Sequence, residues 1–176
     1  MSRIANNYAQ GLYSLCAEEN ITKPVLEQLQ VLETAFAQEP DFVKLLAMPE
    51  LSKNQRCEIL DESFRDRVHP YVLNFLKILT EKGYIRQFSG CCKAYAEQYN
   101  LDNGILPVRA VTAVPLSPVQ TQKLTEKLQG ITGKTVIIMN RVDARCLGGV
   151  RLEFDGKQVD GTVQSRLGAI GDLLRN

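Results

Sequence analysis

The sequence predicts two domains: an all-α N-terminal bundle of six helices over residues 1–104, then a small α/β domain over residues 105–176. Three observations predict it. The first 104 residues are rich in leucine and hold only four of the twelve glycines, a composition that favours helix over turn. The remainder is rich in Gly, Val and Ile, which favour strands and the turns between them. Charge changes sign at the same place: residues 1–104 carry 11 basic and 14 acidic side chains (net −3), and residues 105–176 carry 10 and 6 (net +4).

The elements follow in order. Ile4, Tyr8, Leu12, Leu15 and Cys16 recur at helical spacing and give the first helix one apolar stripe. Thr22 is placed to cap a second helix, with Pro24 in its first turn and Leu29, Leu32 and Phe36 as its stripe. A short helix around Phe42, Leu45 and Leu46 must end before Pro49, because the residue before proline resists helical geometry. Ser52-Lys53-Asn54-Gln55 is a capping box for a fourth helix carrying Ile59, Leu60 and Phe64. Pro70 opens a fifth, Tyr71 to Lys82, which Gly83 closes. It is apolar nearly all round (Val72, Leu73, Phe75, Leu76, Ile78, Leu79), so it is either central to the bundle or left with one face for a partner. A sixth runs from Tyr84 to Leu101 with Ile85, Phe88, Cys92, Tyr95 and Tyr99 in phase.

The second domain alternates. Ile105 to Val114 reads as a strand with Val108, Ala110, Thr112 and Val114 on one face. Ser117-Pro118-Val119-Gln120 is a second capping box, and its helix runs to Gln129, where Gly130 and Gly133 stop it. Thr135 to Met139 and Val150 to Phe154 are strands, the latter preceded by Gly148-Gly149. Asp155-Gly156 signals a hairpin returning through Gln158 and Val159. A final helix, Thr162 to Leu174, carries Val163, Leu167, Ile170 and Leu174.

Composition excludes several classes. Charged residues make up 23% and apolar residues 44%, so disorder, collagen and a pure coiled coil are excluded. A net charge of +1 argues against a dedicated nucleic-acid binder, whose affinity comes from neutralising phosphates. No apolar run reaches the roughly 20 residues of a membrane helix, and Met1 to Gln10 lacks the layout of a signal peptide, so an intracellular chain is expected. Cys16, Cys57, Cys91, Cys92 and Cys146 are odd in number and irregularly spaced, which fits small reduced apolar residues rather than disulfides or a zinc site. The single histidine, His69, precedes Pro70 and reads as a surface or capping residue.

Few constellations suggest chemistry, and no catalytic residue, metal site or cofactor is expected. Gly130-Ile131-Thr132-Gly133-Lys134-Thr135 resembles part of a P-loop, but Leu128 stands where the first glycine belongs. A helix precedes this stretch and a strand follows, the reverse of the P-loop order, so no helix N-terminus faces a phosphate. Glu18-Glu19 and Asp61-Glu62 read as solvated helix faces, and Asp143 and Asp160 as turn and capping residues. Tyr8, Ala9 and Leu12 form either a core stripe or, with the fifth helix, a groove that receives a partner helix. Periodicity does not separate these two readings.

The order of features resembles the delta subunit family of bacterial and chloroplast ATP synthases, which includes the mitochondrial oligomycin-sensitivity-conferring protein. The matching stretches span the chain: Tyr8-Ala9 with Leu12; Leu45-Leu46 with Pro49 and Lys53; Asn74-Phe75-Leu76 through Leu79-Thr80-Glu81 to Gly83; and Val111 to Leu116. The most specific are Val142-Asp143 with Leu147-Gly148-Gly149, and Val159-Asp160-Gly161-Thr162-Val163 with Arg166-Leu167. Departures are local: Gly11 for a usual alanine, Tyr84 for a common arginine, and Ala144-Arg145-Cys146 where proline and serine are frequent.

The resemblance implies a non-catalytic stator component with no cofactor, peripheral on the cytoplasmic face of the bacterial inner membrane. It implies that the helical bundle grips N-terminal helices of the α subunits of the catalytic head. Residues 105–176 would then meet the b subunit of the peripheral stalk. The head-binding positions carried over are Tyr8, Gly11, Leu12, Asn74 and Ile78. The competing expectations are a small nucleotide-binding α/β protein, resting on Gly133-Lys134-Thr135, and an adaptor that binds RNA through the +4 half.

Overall fold

The stripe from Ile4 to Cys16 forms α1, Arg3–Glu18, with Ala5, Ala9, Leu12, Tyr13 and Cys16 buried. It ends because Asn20 turns to φ 57°, which lets the Asn20 and Ile21 amides return to the carbonyls of Ala17 and Cys16. The computed structural model describes residues 2–143, 150–154 and 156–161. The expected last helix from Thr162, Cys146, Leu147 to Gly149 and Asp155 of the hairpin lie outside the described residues.

Five further α-helices complete the helical domain: α2 Thr22–Gln38, α3 Pro40–Leu46, α4 Lys53–Phe64, α5 Pro70–Glu81 and α6 Phe88–Asp102. Two boundaries differ from the sequence reading. Thr22 is the first residue of α2 rather than its cap, and Ile21 in the cap position offers no side-chain acceptor. The run from Tyr84 is split: Ile85–Gln87 is a single 3-10 turn, and the α-helix begins at Phe88. The cause lies just upstream. Gly83 at φ 74° sends the Tyr84 amide back to the Leu79 carbonyl at 2.7 Å, so the chain is still leaving α5 when the next helix would begin. The Ser52–Gln55 capping box forms as read, and His69 caps α5 by accepting the Tyr71 amide on Nδ1 at 3.2 Å.

The chain separates into two compact units, Met1–Tyr99 and Asn100–Asn176. The first has its own core, in which Leu29, Leu46, Leu60, Leu76, Leu79 and Tyr95 are fully buried. Aromatic rings knit it: Phe36 meets Phe42, Phe64 and Phe88 at centroid distances of 5.7, 6.0 and 5.0 Å. Cys16, Cys91 and Cys92 are buried here, and burial pushes the Cys91 thiol up to about 11, away from a reactive thiolate.

The second unit is a small α/β domain. β1 (Ile105–Thr112), α7 (Pro118–Thr132), β2 (Thr135–Val142), β3 (Val150–Phe154) and β4 (Lys157–Gly161) build a sheet of order β2-β1-β3-β4. β1 and β2 run parallel, as a crossover through α7 requires, and β1–β3 and β3–β4 pair antiparallel. Leu106, Val108, Ala110, Val136, Leu152 and Phe154 pack with Leu124 and Leu128 of α7. Three expectations are corrected. β1 stops at Thr112 and leaves Val114 69% exposed, because the Thr112 hydroxyl donates to the Val114 carbonyl at 2.7 Å and bends the chain. Gly130 stays inside α7; Gly133, at φ 65°, ends it. Asp160 lies within β4, opposite Arg151, and not in a turn.

Candidate functional site

α1 and α5 lie side by side and antiparallel. At one end the Tyr8 ring rests against the ring of Tyr84, just past α5, with centroids 6.0 Å apart. At the other the Tyr71 hydroxyl donates to the carboxylate of Glu19, the residue that follows α1. Between these ends runs a groove of about 250 Å³. Its walls are Tyr8, Gly11, Leu12 and Leu15 from α1, and Tyr71, Asn74, Phe75 and Ile78 from α5.

The sequence explains the shape. Leu12 and Phe75 are buried and form the floor. Leu15 and Ile78 stay 50% and 37% exposed, as apolar rims with nothing over them among the described residues. Gly11 opens the middle, since a Cβ there would meet no atom within 4 Å. A methyl group at this position would project into free space.

Tyr71 is held from several sides. His69 Nδ1 accepts its amide, the His69 and Tyr71 rings meet edge to face at 5.1 Å, and the His69 amide in turn donates to Gln28 Oε1 at 2.8 Å. The hydrogen bond to Glu19 raises the Tyr71 pKa above its ordinary value, so the phenol stays a neutral donor.

All five residues singled out in the sequence, Tyr8, Gly11, Leu12, Asn74 and Ile78, line this one groove. Leu15, Tyr71 and Phe75 line it too, and spacing could have found them: Leu15 stands seven residues after Tyr8, and Tyr71 and Phe75 share a stripe with Ile78. The remaining candidates disperse. Asp61 is not merely a solvated charge, because Lys77 Nζ binds its carboxylate at 2.7 Å and ties α4 to α5. Glu19 is likewise engaged, by Tyr71. Lys134 follows the end of α7 and precedes β2, an order in which no helix N-terminus faces it. Among the described residues no cluster of three or more His, Cys, Asp or Glu is placed to hold a metal, and no helix is long and apolar enough to cross a membrane.

Two other concavities are chemically different. One, beside α2, includes Glu27 and Arg67 in its wall. The other, on the sheet, includes Arg109 and Glu153, which pair with each other at 3.6 Å. Only the α1–α5 groove, of these three, is lined without a charged side chain. An apolar trough between two helices can accept the apolar face of a third.

Comparison with known proteins agrees in scale and order. Residues 4–174 match the family model described as ATP synthase delta (OSCP) subunit. The ATP synthase subunit delta of Clostridioides difficile is 34% identical over 172 residues, covering 97% of this chain and 95% of that one. The corresponding subunit of Alkaliphilus oremlandii is 30% identical over 171 residues, with the same coverage. Among solved structures, a chain in the cryo-EM structure of the Toxoplasma gondii mitochondrial ATP synthase hexamer superposes with a TM-score of 0.71 over 99% of both chains, at 17% identity.

Proposed function

Since this chain belongs to the ATP synthase delta (OSCP) subunit family, we propose that its helical domain clamps the catalytic head through the α1–α5 groove. The chain is a non-catalytic stator component of a rotary ATP synthase. In our reading the bundle of six helices receives an N-terminal helix of an α subunit. The unit beginning near residue 105 meets the b subunit of the peripheral stalk, on the cytoplasmic face of the membrane. Tyr8, Gly11, Leu12, Asn74 and Ile78 are the contact residues.

The observation that carries this reading is an uncharged groove with two exposed apolar rims, Leu15 and Ile78, and a glycine at its centre. The physics of the task asks for such a site. A rotary motor transmits torque only if its static part does not turn with the rotor. A non-covalent link resists that load by dissociating slowly, and slow dissociation comes from a few buried apolar anchors. A preformed trough between packed helices spends little binding energy on its own ordering.

The test is calorimetric. Ile78→Asp places a charge on the groove rim, at a position open enough for the bundle to keep its fold. The variant is expected to lose roughly 2 kcal/mol or more of affinity for an α-subunit N-terminal peptide, the scale of an interface hot spot. Circular dichroism checks that it is folded. Unchanged affinity in a folded variant would remove the groove from the interface.

A further inference from the structure

The sheet of the second unit has one unguarded edge. Among the described residues β2 is an outermost strand, and its eight residues, Thr135–Val142, run beside β1 without a bulge or a proline. The other edge, β4, is five residues long and includes Lys157, Asp160 and Gly161, features that discourage a further strand. β2 carries a charge only at Arg141 and leaves Ile137 and Met139 49% and 51% exposed. A long, straight, apolar edge of this kind is one that folded proteins keep covered.

The direction of the backbone decides what can cover it. The Thr135 amide donates to the Gly104 carbonyl and the Asp143 amide to the Thr112 carbonyl, each at 2.9 Å, so the odd-numbered residues of this stretch turn toward β1. In a parallel pair each residue presents its N–H and C=O on one side, and that side alternates along the strand. Val136, Ile138, Asn140 and Val142 therefore point four N–H and four C=O groups away from the sheet. Among the described residues no backbone group meets them. A helix packed on the sheet face would leave them unpaired, because its own amides and carbonyls are bonded within it. An extended segment satisfies them. Side chains add a choice of segment. Ile137, Ile138 and Met139 make the middle of the edge apolar, while Lys134 and Arg141 stand at its two ends. Among the described residues neither cation has an ion-pair partner, and Asp143, just past the strand, is already engaged.

Resting on the reading that the unit beginning near residue 105 meets another subunit, we propose that β2 receives an extended segment of that partner as an added strand. The segment is roughly seven residues long, apolar in its middle and acidic at its ends. Main-chain hydrogen bonds hold it, and the side chains of β2 select it. This edge lies wholly within the second unit, so the proposal stands or falls apart from the α1–α5 groove.

Amide hydrogen exchange tests this, read residue by residue on the full chain alone and on the chain within the assembled ATP synthase. On assembly the outward amides of Ile138, Asn140 and Val142 are expected to slow by about tenfold or more, and the inward amides of Ile137, Met139 and Arg141, already bonded to β1, by far less. Ile138→Pro removes one outward donor and obstructs a strand, at an edge position where proline is tolerated. In this variant the slowing at Asn140 and Val142 is expected to vanish. Arg141→Glu keeps every backbone donor, and so serves even if the proline disturbs the fold; it is expected to reduce the slowing at low salt. Equal slowing of both sets of amides, or slowing elsewhere in residues 105–161 but not in β2, keeps a partner on this unit and overturns the added strand. No slowing anywhere in residues 105–161 overturns both. Outward amides already slow in the isolated chain also overturn the proposal. Slowing that grows with concentration would assign the edge to a second copy, and slowing that does not would assign it to the chain's own residues.

Discussion

Two glycines in the helical domain have opposite physical meanings, and substitution separates them. Gly11 is exposed in the interior of α1, and a Cβ there would meet nothing within 4 Å. Gly90, in α6, faces the buried Ala5 of α1, and a Cβ there would lie 3.3 Å from the Ala5 Cβ. Gly11→Ala is therefore expected to stabilise the domain by about 0.5–1 kcal/mol in urea denaturation, through reduced backbone freedom of the unfolded chain. Gly90→Val, at the close crossing, is expected to destabilise it by about 1–3 kcal/mol. Gly11→Phe tells function from fold: it should leave the domain folded yet fill the groove and weaken peptide binding by about tenfold or more. Stable folding with full binding would mean that the guest does not pass over Gly11.

Between elements, polar ties join helices that the core alone would leave free to slide. Lys77 of α5 reaches Asp61 of α4 at 2.7 Å, and Arg65 approaches the same carboxylate at 3.7 Å. The hydrogen bond from Lys77, with the attraction of both cations, outweighs desolvation and holds the Asp61 pKa below its ordinary 3.8. A pKa lower in the folded state than in the unfolded one stabilises the fold at pH values above the ordinary pKa. That contribution fades as the pH falls through the folded value. Asp61→Asn should accordingly lower the melting temperature at pH 7, and the gap to the unmodified protein should close as the pH falls below the ordinary 3.8 and through the lower folded value. A gap that stays constant with pH would assign the effect to packing.

The same scale shows what the sequence makes legible. Both capping boxes, Ser52 with Gln55 and Ser117 with Gln120, form as read, because each is complete within four residues. The P-loop-like stretch at Gly130 reads as a helix end for the same local reason, yet the helix passes through Gly130. One interior glycine costs only about 1 kcal/mol, and Gly133 alone takes the left-handed turn. Asn140 carries no sequence signal at all. Its amide donates to the Ala110 carbonyl and the Thr112 hydroxyl at 2.9 Å each, and its oxygen accepts the Leu116 amide at 3.0 Å. These partners lie 24 to 30 residues away, so only the folded sheet brings them together. The groove was half legible. Stripes on α1 and α5 could be read, but whether they face each other as core or as an open trough depends on packing that periodicity does not encode.

At the scale of the whole molecule, each unit carries its own apolar cluster, and every groove residue, from Tyr8 to Ile78, lies within the first. The groove's function should then belong to the helical domain alone. A guest that binds only the folded groove stabilises that domain by mass action, by about 2.7 kcal/mol at a hundredfold excess over Kd. For a domain of this size the gain corresponds to a rise in Tm on the order of 10 °C. A fragment of residues 1–104 and the full chain are expected to show the same rise of the helical transition in scanning calorimetry with an α-subunit N-terminal peptide. In the Ile78→Asp variant the rise should vanish. If the fragment melts cooperatively but its Tm ignores the peptide while the full chain responds, the guest needs residues beyond 104, and the groove is only part of the grip. If the Ile78→Asp chain still responds in full, torque is resisted at another surface, and the uncharged trough between α1 and α5 has no part in holding the stator.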